Sequence, residues 1–227
     1  MITIRLIGAS LLLALLAGCL APATVQTGPD AEVSHDGLYK VDNSRMKLAW
    51  VKPDADLRGY DKVRLVGSGV EYRAVKGGGR STTRANSRRT DFPMSEDSRD
   101  RFEKLVGEVF LDELGKSEYY TIVNEDGPDV LEVKGALIDV VSNVPPDMIG
   151  RGDYFLSKIG EATLLLEIRD SQSNEIIARA ADRTAIEPQI AVRSNRVTNI
   201  SETRREVRKW AVILREALDR FHDDLEG

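Results

Sequence analysis

The chain has 227 residues, 30% of them charged and 6% aromatic, with a formal net charge of −5 at pH 7. This acidic balance excludes wholesale nucleic-acid binding, and the length suits one sizeable folded domain with a tail. Cys19 is the single cysteine, so no intramolecular disulfide and no cysteine-built metal site is available, and the fold has to rest on packing.

The chain opens with Met1 to Ala14, which carries one early cation, Arg5, and then an apolar run. From Leu6 to Leu16 that run is shorter than the roughly 20 apolar residues of a bilayer-spanning helix and suits the h-region of a signal peptide. Leu16-Ala17-Gly18-Cys19 follows. This arrangement resembles the lipobox of bacterial lipoproteins, which implies acylation of the Cys19 thiol and removal of residues 1–18. At about 0.8 kcal/mol per acyl CH2, two or three chains make a nearly permanent anchor. Leu20 carries no carboxylate; by the enterobacterial sorting pattern this implies the outer membrane, with the protein facing the periplasm. Residues 19–37 read as the lipidated cysteine and a flexible tether, since Pro22, Gly28, Pro29 and Gly37 interrupt small and polar residues without an apolar period. A single globular domain is expected over 38–227.

That domain opens near Leu38, and Trp50, Pro53 and Tyr60 lead into a strand over 62–72 with Val63 and Leu65 on one face. Gly67 and Gly69 mark a bulge or bend in it. The three- and four-residue spacing of Phe102, Leu105, Val106, Val109, Phe110 and Leu114 predicts a helix over 96–114, with Ser95 at its N-cap and Gly115 at its end. Residues 119–124 and 130–142 read as strands of a hairpin around the turn Glu125-Asp126-Gly127-Pro128. Ala162, Leu164, Leu166 and Ile168 alternate strictly, and after a polar turn at 171–174 a partner strand runs over 175–184. A closing helix over 202–225 carries the stripe Val207, Trp210, Ala211, Leu214, Ala217, Leu218, Phe221 and Leu225. The expected fold is α/β of the α+β kind: a two-layer sandwich, with a mixed, mostly antiparallel sheet of about five strands backed by two amphipathic helices.

Trp50-Val51-Lys52-Pro53, Tyr60-Asp61-Lys62-Val63, Pro128-Asp129-Val130-Leu131 and Gly160-Glu161-Ala162-Thr163-Leu164 with Asp170-Ser171, in this order, resemble domain-of-unknown-function family 3313, an uncharacterised bacterial lipoprotein family. The resemblance covers most of the chain after Cys19. It brings no activity, cofactor or catalytic set to carry onto these positions.

Chemistry-bearing constellations are thin. His35 lies in the tether, which cannot hold a hydrolytic triad at hydrogen-bond distance. His222 sits with Asp223 and Asp224 in what reads as a solvated final turn, and the two imidazoles do not share helical spacing for a metal. Asn124-Glu125-Asp126-Gly127 fits a strand-joining turn better than a calcium loop, because Ile122 occupies the first ligand position. Gly77-Gly78-Gly79-Arg80-Ser81-Thr82 lacks the lysine and the prompt helix of a phosphate loop. Two loops stand out. Arg73, Lys76, Arg80, Arg84, Arg88 and Arg89 precede the first compensating acid, Asp91, and form either a solvated loop or a contact for anionic envelope material. The connection 143–158 carries Met148, Ile149, Tyr154 and Phe155, which either cover the core or form a docking loop. The expectation is an envelope lipoprotein that binds or scaffolds. Its partners are the membrane through its lipid anchor and an anionic envelope component or envelope protein; no cofactor, metal or nucleic acid is called for. A small-ligand or glycan-binding module is the alternative, and an enzyme of unknown class the third.

Overall fold

In the computed structural model, residues 21–75, 91–145 and 155–223 are described. In chain order the elements are β1 (Thr24–Val25), β2 (Tyr39–Asp42), β3 (Leu48–Val51), β4 (Lys62–Tyr72), α1 (Glu96–Leu114), β5 (Thr121–Ile122), β6 (Val130–Ser142), β7 (Phe155–Leu156), β8 (Gly160–Asp170), β9 (Ile176–Ile186), β10 (Val192–Arg193) and α2 (Arg196–Asp223). Eight strands form one mixed sheet in the order β1-β2-β3-β9-β8-β6-β4-β5, while β7 and β10 make a separate antiparallel pair. The class is therefore mixed α+β, but the sheet is wider than the five strands expected from the sequence. The three additional strands, β1, β2 and β3, extend one side of the sheet in pieces of two to four residues, too short to show an alternating pattern.

Strand alternation builds the core. Ala162, Leu164, Leu166 and Ile168 of β8 are buried in one cluster with Leu131, Val133 and Leu137 of β6 and with residues of both helices. α1 contributes Leu105, Val109, Phe110 and Leu114, and α2 contributes Val207, Trp210, Ala211, Leu214 and Leu218. The helices thus pack on one face of the sheet. Ser95 precedes α1 as expected, although its side chain makes no capping bond. α2 starts six residues before the expected Glu202, at Arg196, because Asn195 caps it: the Asn195 side-chain oxygen accepts from Thr198 N–H at 3.0 Å.

Two expectations are corrected. β5 and β6 do not form a hairpin; they flank β4 on opposite sides, each parallel to it. The 125–128 turn instead carries the chain past the start of β4, where Asp61 and Lys62 N–H both donate to Asp129 C=O. Nor is the described part of the tether free. β1 pairs with β2, Gln26 N–H donates to Lys40 C=O at 2.9 Å, and Val33 bridges Tyr39. These bonds run between main chains, so they left no side-chain pattern to read. β8 and β9 do form the expected hairpin, from Gly160↔Ile186 to Arg169↔Ile176.

Candidate functional site

The sheet has a second face, turned away from the helices. Along β8 the residues alternating with the core set are Glu161, Thr163, Leu165, Glu167 and Arg169, and the register places Ala136 and Lys134 of β6, Ala181 and Arg179 of β9, and Leu48 and Trp50 of β3 in the same layer. Its centre is apolar: Leu48 is 49% exposed and Leu165 36%, and a shallow cavity of about 380 Å³ lies among Leu48, Trp50, Ala136, Leu165 and Ala181.

Ion pairs enclose this centre at both ends. Towards the 171–174 turn, Glu132 takes Arg64 and Lys134, and Glu167 takes Arg169 Nε at 2.5 Å and Arg179 Nε at 2.7 Å. Arg179 also binds Asp36. At the opposite end Arg73 forms a two-pronged pair with Asp139, both bonds 2.7 Å, and reaches Glu161 at 2.5 Å and Asp91 at 3.2 Å. Arg183 closes the network on Asp139 and Glu161, and Lys158 donates to Glu161 at 2.7 Å. Lys158 first, then Arg73 and Arg183, hold the Glu161 carboxyl at about 2 against its partial burial. The Asp139 hydrogen bonds in turn hold the Arg73 guanidinium above its ordinary range. Asp139 points there because β6 is irregular between Ile138 and Val141, with Asp139 itself in the left-handed region at φ 56°.

Arg73 is therefore not the free cation expected of an anion-binding loop. Its acids, Asp139 and Glu161, lie 66 and 88 positions along the chain, beyond the reach of a local charge count. Lys76, Arg80, Arg84, Arg88 and Arg89 lie outside the described residues, as do Cys19, Met148, Ile149 and Tyr154. Phe155, the remaining residue of the expected docking loop, is 64% exposed on β7, opposite Arg193. His35 stands 3.1 Å from Asp36, and among the described residues no acid, histidine or cysteine cluster suits a metal ion. His222 is not in a solvated turn: its ring stacks on Tyr119 at 4.3 Å and meets Tyr120 edge-on. The open-face centre was missed at sequence level, although Leu165 is a visible signal, an apolar residue in the polar half of a strict alternation.

A second cavity, about 500 Å³, lies where β4 ends, between Val70 and Tyr72, the 92–94 segment and the start of α1. Tyr72 hydroxyl donates to Glu103 at 2.9 Å and the Arg99 guanidinium sits 4.5 Å above the Tyr72 ring. Burial, and then the Glu103 bond, push the Tyr72 phenol well above its ordinary range.

No curated protein matches the chain. Among solved structures it is similar to a dodecameric PelC variant from Paraburkholderia phytofirmans (12% identity, TM-score 0.37, 74% of this chain and 95% of that one). It is also similar to a putative neuraminyllactose-binding hemagglutinin homolog from Helicobacter pylori (14%, 0.38, 76% and 91%) and to a DUF330-family protein from Xanthomonas campestris (12%, 0.38, 77% and 93%). The model of the family described as "Protein of unknown function (DUF3313)" matches residues 33–214, from the bridge that precedes β2 to the buried Leu214 of α2, and the chain belongs to that family.

Proposed function

We propose that this protein is a lipid-anchored module of the bacterial outer membrane that faces the periplasm and works by binding or scaffolding another envelope component. The observation that carries the binding role is the open sheet face, where Leu48, Trp50 and Leu165 are presented between two ends whose charges are already paired with one another. Such a surface loses little on desolvation at its centre, and its charges do not require counter-ions from a partner. Asp139 and Glu161 are held ionised by guanidinium and ammonium groups, the arrangement of a structural junction rather than of a proton-transfer pair. The anchor rests on the Leu16-Ala17-Gly18-Cys19 pattern. The cations Lys76, Arg80, Arg84, Arg88 and Arg89 remain the proposed contact for anionic envelope material. The small-ligand or glycan alternative has the cavity beside Tyr72 in its favour.

Two measurements test the reading. Cys19→Ser is expected to move the protein out of the membrane fraction or leave it uncleaved; unchanged mass and fractionation would remove the anchor. A photo-crosslinking side chain placed at Leu165 in the envelope is expected to give reproducible adducts that the same group at exposed Leu111 on α1 does not. Equal adducts at the two positions overturn the open-face assignment.

A further inference from the structure

β4 is eleven residues long, yet only its first turn of ladder is covered on the side away from β6. β5 pairs with Lys62 and Val63, Val123 N–H donates to Val63 C=O at 3.0 Å, and among the described residues no strand continues along residues 65–72. The hydrogen-bond directions are fixed by their neighbours. Arg73 N–H donates to Val140 C=O at 2.9 Å, so residue 73 faces β6, and by strand alternation Val70 and Tyr72 present their N–H and C=O groups outward. Part of the usual protection of a free edge is missing from this stretch, although two irregularities interrupt its ladder with β6. It has no proline or lysine; Glu71 is its single charge, and nothing lies within 4 Å of a side chain placed at Gly67 or Gly69. The register shift between Gly67 and Gly69 separates the outer part, residues 69–72, from the part nearer β5, and a second shift lies between Val70 and Tyr72, where the extra residue is on β6.

Beside that outer part lie the cavity of about 500 Å³ and Arg99, an exposed cation on α1 that makes no ion pair with a carboxylate among the described residues. We infer that residues 69–72 of β4 form a strand-addition site for an extended segment of a partner protein, pairing main chain to main chain with Val70 and Tyr72 and placing an acidic side chain against Arg99. An added strand takes its affinity from the backbone and its selectivity from alternate side chains, and here the side chains on the helix side meet the cavity and Arg99. The inference rests on the binding-module reading and names the chemistry of one partner, at an edge distinct from the open-face centre.

The test uses the full chain in detergent and residue-resolved amide hydrogen exchange. The probes are end-blocked heptapeptides alternating threonine and valine, with glutamate or lysine at the centre, and a glutamate peptide N-methylated at alternate positions. The Val70 and Tyr72 amides are expected to exchange fast in the free chain and to slow at least tenfold with the glutamate peptide. They should slow less with the lysine peptide and not at all with the N-methylated one. Arg99→Gln should abolish the difference between the glutamate and lysine peptides without lowering the melting temperature. Slow exchange without peptide overturns the inference: if independent of protein concentration, the chain covers its own edge, and if dependent on it, a second copy does. Fast exchange at saturating glutamate peptide, or equal slowing by all three peptides, also overturns it. In each of these outcomes the Leu165 crosslinks still report separately on the wider binding-module reading.

Discussion

Gly160 shows how tightly a single position can be determined. A Cβ there would stand 2.5 Å from the Val141 carbonyl oxygen, a main-chain atom held between β6 and β8, so the clash cannot be relieved by turning a side chain. Gly160→Ala is expected to cost about 1–3 kcal/mol, the range for overpacking a well-filled site, read as a lower denaturant midpoint; an unchanged midpoint would show the ladder yielding there. Arg73 carries the larger electrostatic consequence. Glu161 has a folded value of about 2 against an ordinary 4.5, and Asp139 is also lowered. Carboxyls depressed in the folded state stabilise it fully above about pH 4.5, and that stabilisation is lost as pH falls towards 2. With Glu161 14% and Arg73 28% exposed, breaking the network is worth about 2 kcal/mol at neutral pH. Arg73→Gln is therefore expected to lower the melting temperature by about 4–8 °C at pH 7 and by much less near pH 3. A penalty independent of pH would make Arg73 a packing residue instead.

Among the elements, α2 closes the core through its apolar stripe and a polar contact at the centre of that stripe. Trp210 is 3% exposed, and its indole N–H donates to the Asp182 carboxylate at 2.7 Å. Trp210→Ala removes a large buried side chain and leaves Asp182 without that donor, at a cost of about 3–5 kcal/mol. Trp50→Ala, on the open face, is expected to cost less than half as much, and a paired thermal melt of the two variants checks the ranking. Equal losses would mean that the open face is covered in the folded protein. The two helices and the β8–β9 hairpin were legible because their signals are local: stripes three and four apart, and strict alternation on either side of a polar turn. The side of β4 on which β6 lies was not legible. Turn 125–128 has the composition of a hairpin turn, and only the docking of Asp61 and Lys62 on Asp129 sends β6 across the start of β4.

For the whole molecule, the sheet sets what the domain can touch: α1 and α2 pack on one face, and the other presents Leu48 and Leu165. If the proposed contacts at the open face and the β4 edge are both used, one copy contacts two partners at once, and its avidity exceeds what either contact alone supplies. Combining Leu165→Asp with Arg99→Gln is then expected to reduce envelope crosslinks more than the product of the single effects; a purely multiplicative loss would show that the two surfaces act independently. Local chemistry was enough to place both helices and the last hairpin, because caps, periodicity and turn residues act within a few positions of one another. The width of the sheet, the pairing of the segment before Leu38 and the edge of β4 that no further strand among the described residues covers beyond β5 were decided by main-chain hydrogen bonds, which carry no side-chain code. The pairing of Arg73 with Asp139, Glu161 and Asp91 was decided by strand register, which joined charges that composition alone leaves scattered along the chain.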